Sequence, residues 1–262
     1  MGRRPGGITL RMSTLAEQHA RFTQQARWTA ELRRYIAQST GLSASRRILE
    51  VGCGTGAVLK ELPAQAALHA LDHHLPSLAY ARQSAAAARC VCADAHRLPY
   101  PARWFDHTLC HFVLLWLQNP LQALREMVRV TRPGGWVIAL AEPDYGGRMD
   151  YPTQFTRLGQ LQAQALAAQG ADVNMGRKCG ALFHQAGLIH VQTGLLGGQW
   201  SVLPSPEAWE SEWETLQSDL RGLISPQELH DLRLQDAAAW EKGERILFVP
   251  TFYAWGQIPQ RY

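Results

Sequence analysis

The stretch RRILEVGCGTG, Arg46 to Gly56, places three glycines in five positions directly after an apolar run. In RILEV the apolar residues lie together and do not alternate, which is the pattern of a strand buried on both faces. Glycine reaches positive φ and has no Cβ, so a turn made of Gly52, Gly54 and Gly56 bends sharply and lets a ligand approach the backbone. The strand and turn together decide the fold class: they open an α/β unit whose first loop is built for a ligand.

Outward from this stretch, strand and helix patterns alternate. AVLKEL, after the glycines, reads as a helix, AALHALD as a second strand ending at Asp72, and PSLAYARQSAAAA as an alanine-rich helix opened by proline. CVCAD gives a third strand and FDHTLCHFVLLWL a fourth. A helix follows with Asn119 as N-cap and Pro120 in its first turn, stopping at Pro133-Gly134-Gly135, and WVIALAEPD is the fifth strand. The alternation predicts a doubly wound, mostly parallel α/β sheet. On the other side, Phe22, Ala26, Ala30, Leu32 and Ile36 recur near helical spacing and predict one helix over about residues 16–38.

Composition is that of a folded globular chain: 262 residues, 46% hydrophobic and 18% charged. No apolar run reaches the length of a membrane span, and MGRRPGGITLRMS at the start lacks the apolar core of a signal peptide, so a cytoplasmic protein without membrane contact is expected. The five cysteines, Cys53, Cys90, Cys92, Cys110 and Cys179, form no C-x-x-C pair, which predicts reduced thiols and no metal centre. The net charge of +4 is unevenly spread: residues 1–47 hold nine arginines against Glu17 and Glu31, whereas 201–243 hold nine acids against Arg221, Arg233 and Lys242. The arginines suit either a solvated helix face or a contact with phosphate.

Ligands of doubly wound sheets sit beyond the carboxyl ends of the strands. Those positions hold Gly52 to Gly56, Asp72-His73, Asp94-Ala95, His111-Phe112 and Glu142-Pro143-Asp144. A glycine-rich first turn with an acid ending the second strand suits a nucleoside, the carboxylate accepting from ribose hydroxyls. The spacing is G-x-G-x-G and not G-x-G-x-x-G, Glu50 lies two residues before the first glycine, and Asp94 ends the third strand. A carboxylate at Asp94 can accept from an exocyclic amine and the Ala95 amide can donate to a ring nitrogen, a combination that reads adenine.

On LEVGCGTG, ALD and the run from CADAHRLPYPARWFD to VIALAEPD, the chain resembles the class I S-adenosylmethionine-dependent methyltransferases of small-molecule type, strongly over residues 46–145. The likeness continues more weakly through GRKCGALFHQAGL and ILFVPTFYAWG. It implies a Rossmann-like sheet of seven strands, with an N-terminal helical segment 1–45, a cofactor-binding core 46–200, a helical insertion or lid 201–243, and a last strand and C-terminus in 244–262. It further implies that Gly52, Cys53 and Gly54 line the methionine part and ribose, with Glu50 holding the methionine end. Asp72 would take the ribose hydroxyls, His73 would flank the adenosine, Asp94 and Ala95 would read adenine, and His111 and Phe112 would close over the sulfonium. For Asp72, Asp94, His73 and His111 a plain structural role stands beside each of these.

The expected reaction is methyl transfer from S-adenosylmethionine to an O, N or C atom of a small organic acceptor, with S-adenosylhomocysteine as product and no metal. Candidate bases are His111, Glu142, Asp144 and Tyr145, unranked. Phe22, Gln25 and Trp28 of the first helix would lie over the cofactor. Trp209, Trp213 and Leu216 fall on one helix face and either pack on the core or roof an organic substrate. There is no N-P-P-[YFW] after the fourth strand, where the chain reads CHFVLLW, which disfavours amino-methylation of nucleic-acid bases. The alternatives are an RNA-directed methyltransferase using the arginine-rich start, a noncatalytic S-adenosylmethionine-binding protein, and NAD as rival for the turn. Pro250 conflicts with a continuous last strand and predicts a bulge or an early end there.

Overall fold

The computed structural model describes residues 14–195, 197 and 203–260. The arginine-bearing residues 1–12 of the sequence reading lie outside them. Seven strands form the main sheet: β1 (Arg47–Val51), β2 (Ala67–Asp72), β3 (Arg89–Cys92), β4 (Phe105–Cys110), β5 (Thr131–Pro143), β7 (Ile189–Leu195) and β9 (Thr251–Gln257). Their order is β3-β2-β1-β4-β5-β9-β7, parallel from β3 to β5, with β9 antiparallel to both β5 and β7. β6 (Met149–Tyr151) and β8 (Ile246–Phe248) make a separate antiparallel ribbon.

Both faces of the sheet are covered, as contiguous apolar strands require. One face buries Ile48, Ala70 and Ile138 with Leu32 and Ile36 of α2 (Ala30–Thr40) and Leu78 of α3 (Leu75–Ser84). The other buries Leu49, Val51 and Val137 with Leu124 and Met127 of α4 (Pro120–Val130) and Phe183 of α6 (Met175–Gln185). Each such apolar side chain contributes about 1.5–3 kcal/mol relative to exposure. A third cluster joins Phe155 and Leu158 at the start of α5 (Thr156–Ala168) to Trp213 and Leu216 of α7 (Pro206–Asp219) and Ala239 of α8 (Pro226–Glu241).

Three sequence expectations need correction. The single N-terminal helix is two, α1 (Leu15–Trp28) and α2, joined at Thr29, which leaves helical geometry at φ −100° and ψ 7°. AVLKEL forms no α-helix: only a 3-10 turn over Leu59–Glu61 follows the glycines. Pro63 ends the run before the cost of nucleating a helix is recovered. The fourth strand stops at Cys110, because Phe112 takes φ +57° and a 3-10 turn occupies Leu114–Trp116. At Pro250 the strand does end early, as expected: β8 closes at Phe248 and β9 starts at Thr251.

Candidate functional site

The carboxyl ends of β1, β2 and β4 open into a cavity of about 1120 Å³, walled on its other sides by α1 and α7. Gly52 and Gly54 give the cavity its floor at φ +71° and +51°. A Cβ on Gly52 would stand 2.4 Å from a Val113 methyl, and one on Gly54 would stand 3.2 Å from the Phe22 ring, so the backbone lies in direct contact with its neighbours. The Gly52 and Cys53 amides both donate to the Leu71 carbonyl, at 2.7 and 3.0 Å, which fixes the turn against β2.

Asp72 accepts from the Gly54 amide at 2.7 Å through one carboxylate oxygen and from the His74 amide at 2.8 Å through the other. Each oxygen keeps one lone pair for a further donor. Glu50 is buried at 2% exposure and its Oε2 has no hydrogen-bond partner among the described residues. Burial pushes its carboxyl up to about 8; Arg33 pulls the other way and Asp72 adds to the rise. A buried polar atom without a partner is costly, so this oxygen is built for a donor that the chain itself does not supply.

At the far side His111 is held through Nε2 to the Thr29 hydroxyl at 3.1 Å. That hydroxyl donates to the Ala26 carbonyl at 3.0 Å and accepts from Arg33. With its one proton committed, the proton of the His111 bond belongs to Nε2, and Nδ1 is left as the acceptor. Burial first and Arg33 second bring the His111 pKa down to about 3, so the ring is neutral. Burial pushes the Tyr145 phenol up to about 12, and it stays a donor.

Glu50, Gly52, Cys53, Gly54, Asp72 and His73 are all in the cavity wall, as are His111, Phe112 and Tyr145. Burial raises the Cys53 thiol well above its ordinary range, which leaves it without nucleophilic character. Asp94 and Ala95 are not in that wall: Asp94 accepts from the His96 amide and ring at 2.9 and 2.7 Å, and Ala95 packs into the core. Glu142 is also elsewhere, fully buried, accepting from the amides of Val113, Leu114 and Leu115 at 3.0 to 3.3 Å. Burial raises its carboxyl to about 7, against those three amides. Asp144 is buried under the Arg177 guanidinium, with one contact at 2.6 Å. Neither acid is open to a substrate.

Phe22 and Gln25 of α1 do lie in the wall; the Trp28 side chain is outside the described residues. Arg21 and Gln24 of α1 and Ser211, Thr215 and Asp219 of α7 line it too, and sequence reading missed them. The signal was there as polar residues three to four apart, opposite the Trp209, Trp213 and Leu216 stripe. The stripe packs on the core and the polar face looks into the cavity. Among the described residues no group of three or more His, Cys, Asp or Glu could hold a metal, and no helix is long and apolar enough to cross a membrane.

Residues 49–139 match a protein family described as a methyltransferase domain, in line with the class I resemblance read from the sequence. Over 99 residues the chain is 39% identical to a malonyl-acyl-carrier-protein O-methyltransferase of Halorhodospira halophila, covering 36% of this chain and 34% of that one. Over 127 residues it is 33% identical to a demethylmenaquinone methyltransferase of Renibacterium salmoninarum, covering 47% and 52%. The chain thus spans about a third to a half of the length of these curated relatives. Among solved structures, the cyclase SpnF superposes with a TM-score of 0.57 at 20% identity, over 88% of this chain and 82% of that one. That likeness concerns the fold alone.

Proposed function

We propose that this chain, whose residues 49–139 carry a methyltransferase domain, transfers a methyl group from S-adenosylmethionine to a small organic acceptor. The observation that carries the reading is the unpartnered buried oxygen of Glu50, in one cavity wall with Asp72 and the glycine turn. A nucleoside bearing an ammonium group suits this pair: ribose hydroxyls donate to the spare lone pairs of Asp72, and the ammonium donates to Glu50. NAD is disfavoured by the turn itself. The segment after Gly56 forms only a three-residue 3-10 turn, so the glycine turn is not followed by the α-helix N-terminus that takes a pyrophosphate in dinucleotide sites.

Bound there, S-adenosylmethionine supplies a methyl already activated on a sulfonium. What remains for the protein is alignment and the exclusion of water, where positioning contributes roughly 7–11 kcal/mol in favourable cases. α1 covers the cavity through Phe22 against Gly54 and through His19 Nδ1, 2.9 Å from the Thr55 hydroxyl. His111 Nδ1 accepts a hydrogen bond from an acceptor O–H or N–H, and the Tyr145 phenol donates one. The low basicity of His111 makes it an orienting group; Glu142 and Asp144, buried and already hydrogen-bonded, leave the proton's departure to water or to the acceptor itself.

The size of the cavity exceeds the usual 300–1,000 Å³ of a single small-ligand pocket, which supports room for a cofactor and an acceptor together. Glu207, Glu214 and Asp219 line the α7 side, which disfavours RNA as the acceptor. Calorimetric titration with S-adenosylmethionine, S-adenosylhomocysteine and NAD tests the reading. Binding of the first two and not the third, weakened in Asp72→Ala, is the expected result. Binding of NAD alone, or of none, overturns it; tight binding with no turnover across a panel of acids, phenols and amines would favour a noncatalytic binder.

A further inference from the structure

The opposite face of α7 borders a second cavity, of about 170 Å³, lined by Trp209, Trp213 and Trp240 together with Glu212, Arg245 and Leu158. Its walls are fixed by a buried network. Both the Trp209 and Trp213 indole N–H groups donate to one oxygen of Asp236, at 2.7 and 3.0 Å. Arg245 donates to the other oxygen at 2.6 Å and to Asp150 at 2.8 Å, and Asp150 pairs with Arg148 at 2.7 Å. Arg148, Asp150, Asp236 and Arg245 are each almost wholly buried, and their four charges cancel.

Glu212 stands outside that balance, with no hydrogen bond to its carboxyl among the described residues. Burial raises its pKa; Arg148 and Arg21 act against the rise, Asp219 and Asp236 with it. The cavity therefore sets a carboxyl group that burial shifts toward its protonated form beside three indoles. Indole faces attract cations, and the Arg233 guanidinium already lies 4.7 Å over the Trp209 ring. A rigid aromatic wall beside an uncommitted acid is complementary to a compact ion that carries apolar groups around its charge.

We propose that this cavity binds a small organic ammonium ion, held by Trp209, Trp213 and Trp240 and ion-paired with Glu212. The site is distinct from the nucleoside cavity, since Glu50, Asp72 and the glycine turn line only the larger one. Ala208 contributes to both walls, so an occupant presses on the helix that also borders the acceptor space. Pairing with the ammonium ion favours the Glu212 carboxylate, so whatever fraction of Glu212 is protonated passes its proton to the buffer on binding.

The test is titration of the full chain with tetramethylammonium chloride at constant ionic strength, followed by tryptophan fluorescence and by calorimetry in two buffers of different ionisation enthalpy. Saturable binding is expected, with a buffer-dependent heat, unaffected by saturating S-adenosylhomocysteine, and at least tenfold weaker in both Glu212→Gln and Trp240→Leu. Tert-butanol, a neutral molecule of similar shape, is expected to bind at least tenfold more weakly. The proposal is overturned if tert-butanol binds equally, if S-adenosylhomocysteine competes, if neither variant weakens binding, or if nothing saturable is seen.

Discussion

The Asp72 carboxylate takes the Gly54 amide at 2.7 Å and so ties the end of β2 to the turn that follows β1. This one contact sets the acid and the glycine backbone side by side in one cavity wall. Asp72→Ala is expected to weaken S-adenosylhomocysteine binding by about 1–3 kcal/mol through loss of buried hydrogen bonds. Calorimetry checks it, and parent-like affinity would remove Asp72 from the ribose.

If Glu50 holds the ammonium group, affinity should depend on pH. Its carboxyl, raised to about 8 by burial, is neutral in the empty protein at lower pH and must ionise to pair with an ammonium group. Affinity should therefore climb as pH rises toward 8, by at most about tenfold per pH unit. For stability the sign is the reverse. A folded pKa above the unfolded one gives a contribution fully present below about pH 4.5 and lost as pH rises through about 8, and Glu142, raised to about 7, acts in the same sense. Glu50→Gln should flatten the affinity profile and raise the melting temperature of the ligand-free protein at pH 8.5; an unchanged profile would contradict the role.

His111 and His107 act oppositely. Burial lowers them to about 3 and about 4, so their contribution is present above pH 6.5 and lost as pH falls through those values. Nitrogen-15 NMR should show both rings neutral at pH 5, with the His111 proton on Nε2. A His111 ring that titrates near 6.5 would break the link to Thr29 and Arg33.

Asp236 joins α8 to the Trp209 and Trp213 indoles and to Arg245. Asp236→Ala leaves Arg245 buried with half of its compensation, which should cost about 3–5 kcal/mol in denaturant unfolding. Asp236→Asn keeps one acceptor and should cost less. A loss under 1 kcal/mol for the alanine variant would mean that the region already admits water.

The mostly parallel sheet, the glycine turn and the place of Asp72 at a strand end were legible because strand-end positions follow directly from the alternation of apolar runs. AVLKEL was misread because helical propensity ignores Pro63, and the long N-terminal helix because nothing in its spacing announces Thr29. Glu142 and Asp144 looked like candidate bases at a strand end. Only packing shows that the Val113 to Leu115 amides and Arg177 claim them first. The α7 wall was hidden for a different reason: its cavity face is polar, and sequence reading attended to the tryptophans opposite.

Thr29 is both the joint between α1 and α2 and the partner of His111 and Arg33. The roof of the cavity and the neutral histidine in its wall thus pivot on a single hydroxyl. A displacement of α1 that carried Thr29 with it would also shift that imidazole, so opening and misalignment would be one motion. On the methyl-transfer reading, ligand exchange and the seating of His111 would then be coupled through Thr29, and slow exchange would set a ceiling on turnover.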